Sequence, residues 1–120
     1  MMEYWKDGIM KDYIQVFTTT ESKEEAEKIS REVVGKRLAA CTQIVGPIKS
    51  IYRWKEKIEE EEEWLCIIKS LNDLYEQLEK AIKEIHSYEV PEILALPVVA
   101  GNQAYLEWLN REVGDKTSAK

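Results

Sequence analysis

The residues best suited to chemistry sit in HSYEVPE, 86–92, where the chain's only histidine, His86, stands near Tyr88, Glu89 and Glu92. An imidazole can ligate a transition metal or move a proton near neutral pH, and carboxylates are oxygen donors for hard cations. Transition-metal sites recruit three or four such groups. One chain would have to assemble them from His86, Glu89, Glu92 and little else, whereas a symmetric oligomer could supply one histidine per copy. The plainer role for His86 is the end of a helix, where a cation meets the negative pole of the backbone dipole.

Two further features carry charge. Residues 59–63 are five consecutive glutamates, but side chains alternate faces along a strand, which keeps the five from converging on one ion. A solvated, self-repelling ribbon is the expectation. Lys69 ends an otherwise apolar strand. It can serve as counter-ion to Glu89 or Glu92, contact an anion, or lay its stem along the sheet with the ammonium in water. With one histidine, any serine or cysteine nucleophile would have to use His86, and neither a nucleophile elbow nor a glycine-rich phosphate loop occurs. The expectation is a binding protein and not an enzyme.

The elements that must position these residues follow from periodicity. YIQVFTT, 13–19, is β-branched and aromatic and reads as a strand. Ser22 and Glu25 have capping-box spacing, and Ala26, Ile29, Val33 and Val34 form one face of a helix over about 22–36, with Gly35 as its terminator. Residues 39–54 and 58–70 read as strands. Asn72 caps a second helix that buries Leu74, Leu78, Ala81, Ile82 and Ile85. Val90 precedes Pro91 and is pushed to extended backbone, which stops that helix and aims Tyr88 and Glu89 outward. ILALPVVA, 93–100, is a fourth strand, and Gly101-Asn102 opens a last helix carrying Tyr105, Leu106, Trp108 and Leu109.

The order β-α-β-β-α-β plus a C-terminal helix describes an α+β, ferredoxin-like fold with sheet order 4-1-3-2. Pro47 and Pro97 then fall in the edge strands, where proline is tolerated. The domain spans 13–113, with an N-terminal extension over 1–12 and a polar tail over 114–120. One element exceeds the body. Residues 39–54 reach about 50 Å at ~3.3 Å per residue, while a domain of this size is roughly 35 Å across. The hairpin therefore projects as an arm unless Gly46-Pro47 folds it back. Ile51, Tyr52 and Trp54 on that arm need a surface to cover, and oligomerisation supplies one.

Composition narrows the function. The chain has 120 residues, enough for one domain with its own core. A net charge of -6 argues against nucleic acid and favours cations. No apolar run approaches the roughly 18 residues of a membrane span. The charged N-terminus is no signal peptide, so the expected location is cytoplasmic. Cys41 and Cys66 lie about four residues out of register across the hairpin, roughly 13 Å, beyond disulfide reach.

RLAAC (37–41), SIYRWKEKIEE (50–60), HSYEVPEILALPV (86–98) and GNQAYLEWL (101–109) together closely resemble the CutA divalent-ion tolerance proteins. The resemblance covers about 13–113 and implies the ferredoxin-like fold. It also implies a homotrimer whose long hairpins pair with neighbouring subunits, and a part in tolerance of copper and other divalent ions through weak or regulatory binding. Where the family's copper ligands are assigned, they are a cysteine ending the first strand and two adjacent histidines ending the second helix. Those positions hold Phe17, Ile85 and His86 here, so the resemblance leaves His86 as the metal contact, with Cu2+ or another divalent cation held weakly. Two motifs depart from the family: the hairpin tip has Glu56 in place of glycine, and Ser87 replaces a proline, which frees one backbone N–H. The resemblance further implies an inter-subunit cavity containing Lys69, Glu89, Glu92, Tyr105 and Trp108. The alternative is a signalling module similar to the trimeric PII regulators, binding a small anion through Lys69 and Arg37. An acylphosphatase-type enzyme would need a glycine-rich loop with arginine after the first strand, and an RNA-recognition sheet would need exposed aromatics and a basic face.

Overall fold

The computed structural model describes residues 13–114, so the readings of 1–12 and of nearly all the polar tail lie outside the described residues. The elements are β1 (Tyr13–Thr20), α1 (Lys23–Gly35), β2 (Cys41–Trp54), β3 (Lys57–Leu71), a 3-10 turn (Asn72–Leu74), α2 (Tyr75–Ile85), β4 (Ile93–Pro97) and α3 (Gln103–Glu112). The sheet order is β2-β3-β1-β4, the ferredoxin-like arrangement, and both prolines lie on edge strands. No helix among the described residues is long and apolar enough to cross a membrane.

Alternation sorts the sheet into two faces. Ile14 and Val16 of β1, with Cys66 and Ile68 of β3, pack under Ala26, Ile29 and Val33 of α1 and Leu78, Ala81 and Ile82 of α2. On the opposite face α3 covers only one end, where Leu106, Leu109 and Val113 enclose Tyr13. The rest of that face stays open: Phe17 stands opposite Ile67 and Leu94, and Leu65 opposite Val45. Val45, Leu94 and Leu96 are 46%, 55% and 41% exposed, an apolar stretch too continuous to be scattered surface residues.

Several local expectations shift. Ser22 caps α1 by accepting the Glu25 N–H at 3.1 Å, yet Glu25 does not complete the capping box, because its carboxylate is drawn across to Ser87. Helix α1 runs through Gly35, and Arg37 takes the positive φ of 60° instead. Asn72 makes no side-chain cap; it opens the 3-10 turn, and α2 starts after Leu74. β4 ends at Pro97, with Val98 N–H bonded to the carbonyl of Tyr13, the first residue of β1.

The arm is real. β1 ends with Thr20 opposite Trp64, so 57–63 pair with β2 alone and the molecule's long axis reaches 47 Å. At its root Gly46 and Pro47, joined by a cis bond, together oppose Trp64 as a β-bulge. The indole lies flat on Gly46: a Cβ there would sit 2.7 Å from Trp64 Cγ. The tip is a two-residue turn in which Lys55 and Glu56 have φ of 51° and 68°, the signs a twisted hairpin demands.

Candidate functional site

The corner between α2 and β4 is built around His86. As the residue capping α2 it has extended backbone, φ -63° and ψ 136°, and its N–H closes the last turn on Ile82 O. The side chain turns inward and has no exposed surface. Nε2 lies 2.8 Å from the Thr19 carbonyl, which can only accept, so Nε2 carries the hydrogen. Nδ1 lies 3.2 Å from the Tyr88 N–H, the pattern of partners that an Nε2–H tautomer satisfies. Both nitrogens are thereby committed. The expectation of His86 as a metal contact meets a ring whose two nitrogens are both engaged by protein groups in this conformation. Phe17 sits on the open sheet face and Ile85 packs against the core, so the three positions do not meet. Among the described residues no three His, Cys, Asp or Glu side chains are placed to hold a metal ion.

Glu25 ties this corner to α1. Its Oε2 accepts Ser87 N–H and its Oε1 accepts Ser87 Oγ–H, both at 2.8 Å, and Oε2 stands 3.3 Å from His86 Nδ1. The backbone hydrogen released by serine in place of proline is the one Glu25 uses.

Tyr88 does not point outward as expected. Its ring packs 4.9 Å from the His86 ring, and its hydroxyl donates to Glu63 Oε2 at 2.7 Å. Burial, followed by the hydrogen bond and charge of Glu63 and then by Glu61 and Glu21, pushes the phenol far above its ordinary pKa. Glu63 is only 6% exposed, so the hydroxyl supplies a partner that this carboxylate needs.

Beyond Tyr88 opens a cleft of about 680 Å³ between the foot of the arm and the entry to β4. The five glutamates divide between the two faces of the ribbon, as alternation requires. The register places Glu59, Glu61 and Glu63 on one face, opposite Tyr52, Ser50 and Ile48, and leaves Glu60 on the other, 3.8 Å from Lys49. Glu89 and Glu92 complete the cleft from the β4 side, with Tyr52 and Trp54 as aromatic walls. Burial comes first and the Glu61 hydrogen bond second in raising the pKa of Tyr52. Alternation was read correctly, but it said nothing about carboxylates from a distant corner facing the same side.

The other expected residues lie elsewhere. Lys69 Nζ donates to Gln43 Oε1 at 2.7 Å and does not pair with Glu89 or Glu92. Tyr105 and Trp108 pack ring to ring at 5.5 Å on α3. Burial, then neighbouring Cys41, raise the Tyr105 phenol. Lys69 faces Gln15 and Glu92 adjoins Ile93, which faces Thr18, so about four residues, roughly 13 Å, part the two groups along the sheet. Within one chain the five residues form no single cavity. Arg37 is paired with Glu112 at 3.5 Å, which draws its charge away from the anion role. Cys41 pairs with Lys69 and Cys66 with Ile44; the bulge makes the offset between the thiols three residues, and they occupy opposite faces.

Comparison with known proteins agrees with the fold and the motifs. The family model described as "CutA1 divalent ion tolerance protein" matches residues 14–112. The divalent-cation tolerance protein CutA of Thermus thermophilus is 41% identical over 99 residues, which cover 82% of this chain and 96% of that protein. Human protein CutA is 45% identical over 102 residues, 85% of this chain but only 56% of the human one. This chain thus spans little more than half the length of its human relative. Among solved structures, CutA1 from Oryza sativa superposes with a TM-score of 0.85 at 37% identity, covering 88% of this chain and 97% of that one. The Thermus thermophilus protein gives 0.83 at 40%, covering 85% and 99%. A match across nearly every described residue, in sequence and in backbone, places the chain in the CutA1 divalent ion tolerance family.

Proposed function

We propose that this protein serves divalent-cation tolerance as a non-catalytic homotrimer that takes up divalent ions, Cu2+ among them, weakly and reversibly at its acidic clefts. The observation that carries this reading is the cleft itself: Glu59, Glu61, Glu89 and Glu92 face one solvent-open space from two separate elements. Carboxylate oxygen suits hard divalent ions, and too few donors converge within one chain to hold an ion tightly. Binding is preferred to catalysis because the single imidazole has both nitrogens engaged.

Assembly is supported by the open apolar face of the sheet and by an arm that leaves Ile51, Tyr52 and Trp54 62%, 36% and 41% exposed. The arm's tip carries Arg53, Lys55 and Lys57, while the cleft at its foot is acidic. A copy offering its tip to the next copy's cleft makes a head-to-tail contact, and a threefold rotation between copies closes such contacts into a ring. Lys69, Tyr105 and Trp108 of one copy would then approach Glu89 and Glu92 of another to form the inter-subunit cavity. Two free cysteines fit a cytoplasmic location.

Titration calorimetry with Cu2+ and Mn2+ tests the proposal. Weak binding should survive His86→Gln and disappear in Glu61→Gln/Glu89→Gln. Binding that tracks His86 and ignores the carboxylates would overturn it, as would a monomeric mass in sedimentation.

A further inference from the structure

The α2–β4 corner contains a competition at one atom. His86 Nδ1 faces the Tyr88 N–H at 3.2 Å and Glu25 Oε2 at 3.3 Å. A neutral ring can satisfy only the first, because its lone pair accepts a hydrogen and a carboxylate has none to give. A ring protonated at Nδ1 can satisfy only the second, because two N–H groups cannot bond to each other.

We propose that His86 is a proton-operated latch. Neutral, it holds the Tyr88 backbone and with it the wall of the acidic cleft; protonated, it transfers its bond to Glu25 and lets that wall go. The balance is simple: one proton from solvent adds to Nδ1, one hydrogen bond forms to Glu25, and the Tyr88 N–H loses its acceptor.

The surroundings suit both states. The Nε2–H bond to the Thr19 carbonyl is unchanged by protonation and keeps the ring in place as a pivot. Glu25 is held ready by its two bonds from Ser87. The ring has no exposed surface, so its nitrogens bond to protein groups and not to bulk water. From α1 the ring faces the Glu25 carboxylate, from β1 only the Thr19 carbonyl, and from its own corner Tyr88. Behind Tyr88 stand Glu63 and Glu61 of β3 and Glu21 before α1. These charges are all carboxylates. Release has a defined consequence, because the Tyr88 hydroxyl is what joins the corner to Glu63 at the foot of the arm.

This inference rests on the corner alone and stands whether or not the cleft takes cations, so its test is run without metal. Imidazole 15N shifts and Tyr88 amide exchange, corrected for intrinsic rate, are measured on the intact protein at about pH 8 and about pH 5, either side of the range where histidine changes charge. The expected result is an Nε2–H tautomer at the higher pH and a doubly protonated ring at the lower. Tyr88 protection should fall about tenfold, the loss of one hydrogen bond, while the Val16 amide in β1 is unaffected. Glu25→Gln should move the transition to lower pH, and His86→Gln should leave Tyr88 poorly protected at both. A ring still neutral at the lower pH, an Nδ1–H tautomer at the higher, or equal Tyr88 protection at both overturns the latch. The wild-type readings suffice if a variant fails to fold.

Discussion

Tyr88 donates its hydroxyl hydrogen to Glu63 at 2.7 Å and so joins the α2–β4 corner to the foot of the β2–β3 arm. The bond sits between a half-buried phenol and a carboxylate that is almost wholly buried. A carboxylate in that position is stable only with a donor beside it, so the pair holds together two parts of the chain that share no strand pairing.

Tyr88→Phe should therefore destabilise the fold by about 1.5 kcal/mol, the low end of the range for a hydrogen bond to a charged group, because the phenol is only half buried. The phenol's pKa is raised on folding, so the native state holds its proton more tightly than the unfolded chain does. That contribution is fully present below about pH 10 and is lost as pH rises through the folded value. Urea unfolding across this range should show wild-type stability falling more steeply above about pH 10 than that of Tyr88→Phe. Parallel curves would refute the assignment.

Gly46→Ala should destabilise by about 1–3 kcal/mol, the usual penalty of overpacking. The new methyl would meet the Trp64 indole at Cγ and Nε1, 2.7 and 2.9 Å away. Combining it with Trp64→Leu should recover part of the loss in thermal unfolding, and a fully additive pair would show that the indole is not the obstacle.

Glu56→Gly should stabilise the protein by about 1 kcal/mol. Glu56 holds a φ of 68° at the hairpin tip, a region where a side chain costs roughly 1–2 kcal/mol that glycine avoids, less the extra freedom glycine gains on unfolding. Chemical denaturation measures this directly, and a loss of stability would mean the carboxylate makes a compensating contact.

Leu94→Lys tests assembly. The residue is 55% exposed on the open sheet face, so in a lone chain the change should alter stability by no more than about 0.5 kcal/mol. If copies meet through that face, buried charge should break the oligomer, and sedimentation should register a drop in mass with the far-ultraviolet spectrum intact.

Much of the architecture was legible in the residues because it depends on local pattern. Alternation marked the strands, helical spacing marked α1 and α2, and Pro47 and Pro97 ruled their strands out of the sheet centre. The projecting arm followed from arithmetic on strand length. Chain pattern also placed His86 at the end of a helix, and the family resemblance pointed to Ser87 as the source of a free N–H. It failed where a group had a choice of partners. Glu25 had the spacing for a capping box, and only the packed corner shows that Ser87 lies closer to its carboxylate.

By itself, then, the sequence determined the strand and helix pattern, the edge strands and the family, since each depends on spacing within a short window or on motifs in order. Tertiary structure decided what His86 does, because both its nitrogens are claimed by groups from β1 and from its own corner. It also decided which carboxylates face one another, since Glu61 and Glu89 belong to elements that no periodicity relates. A hydrogen bond or a shared cleft is set by distance in space, and only the packed fold gives that distance.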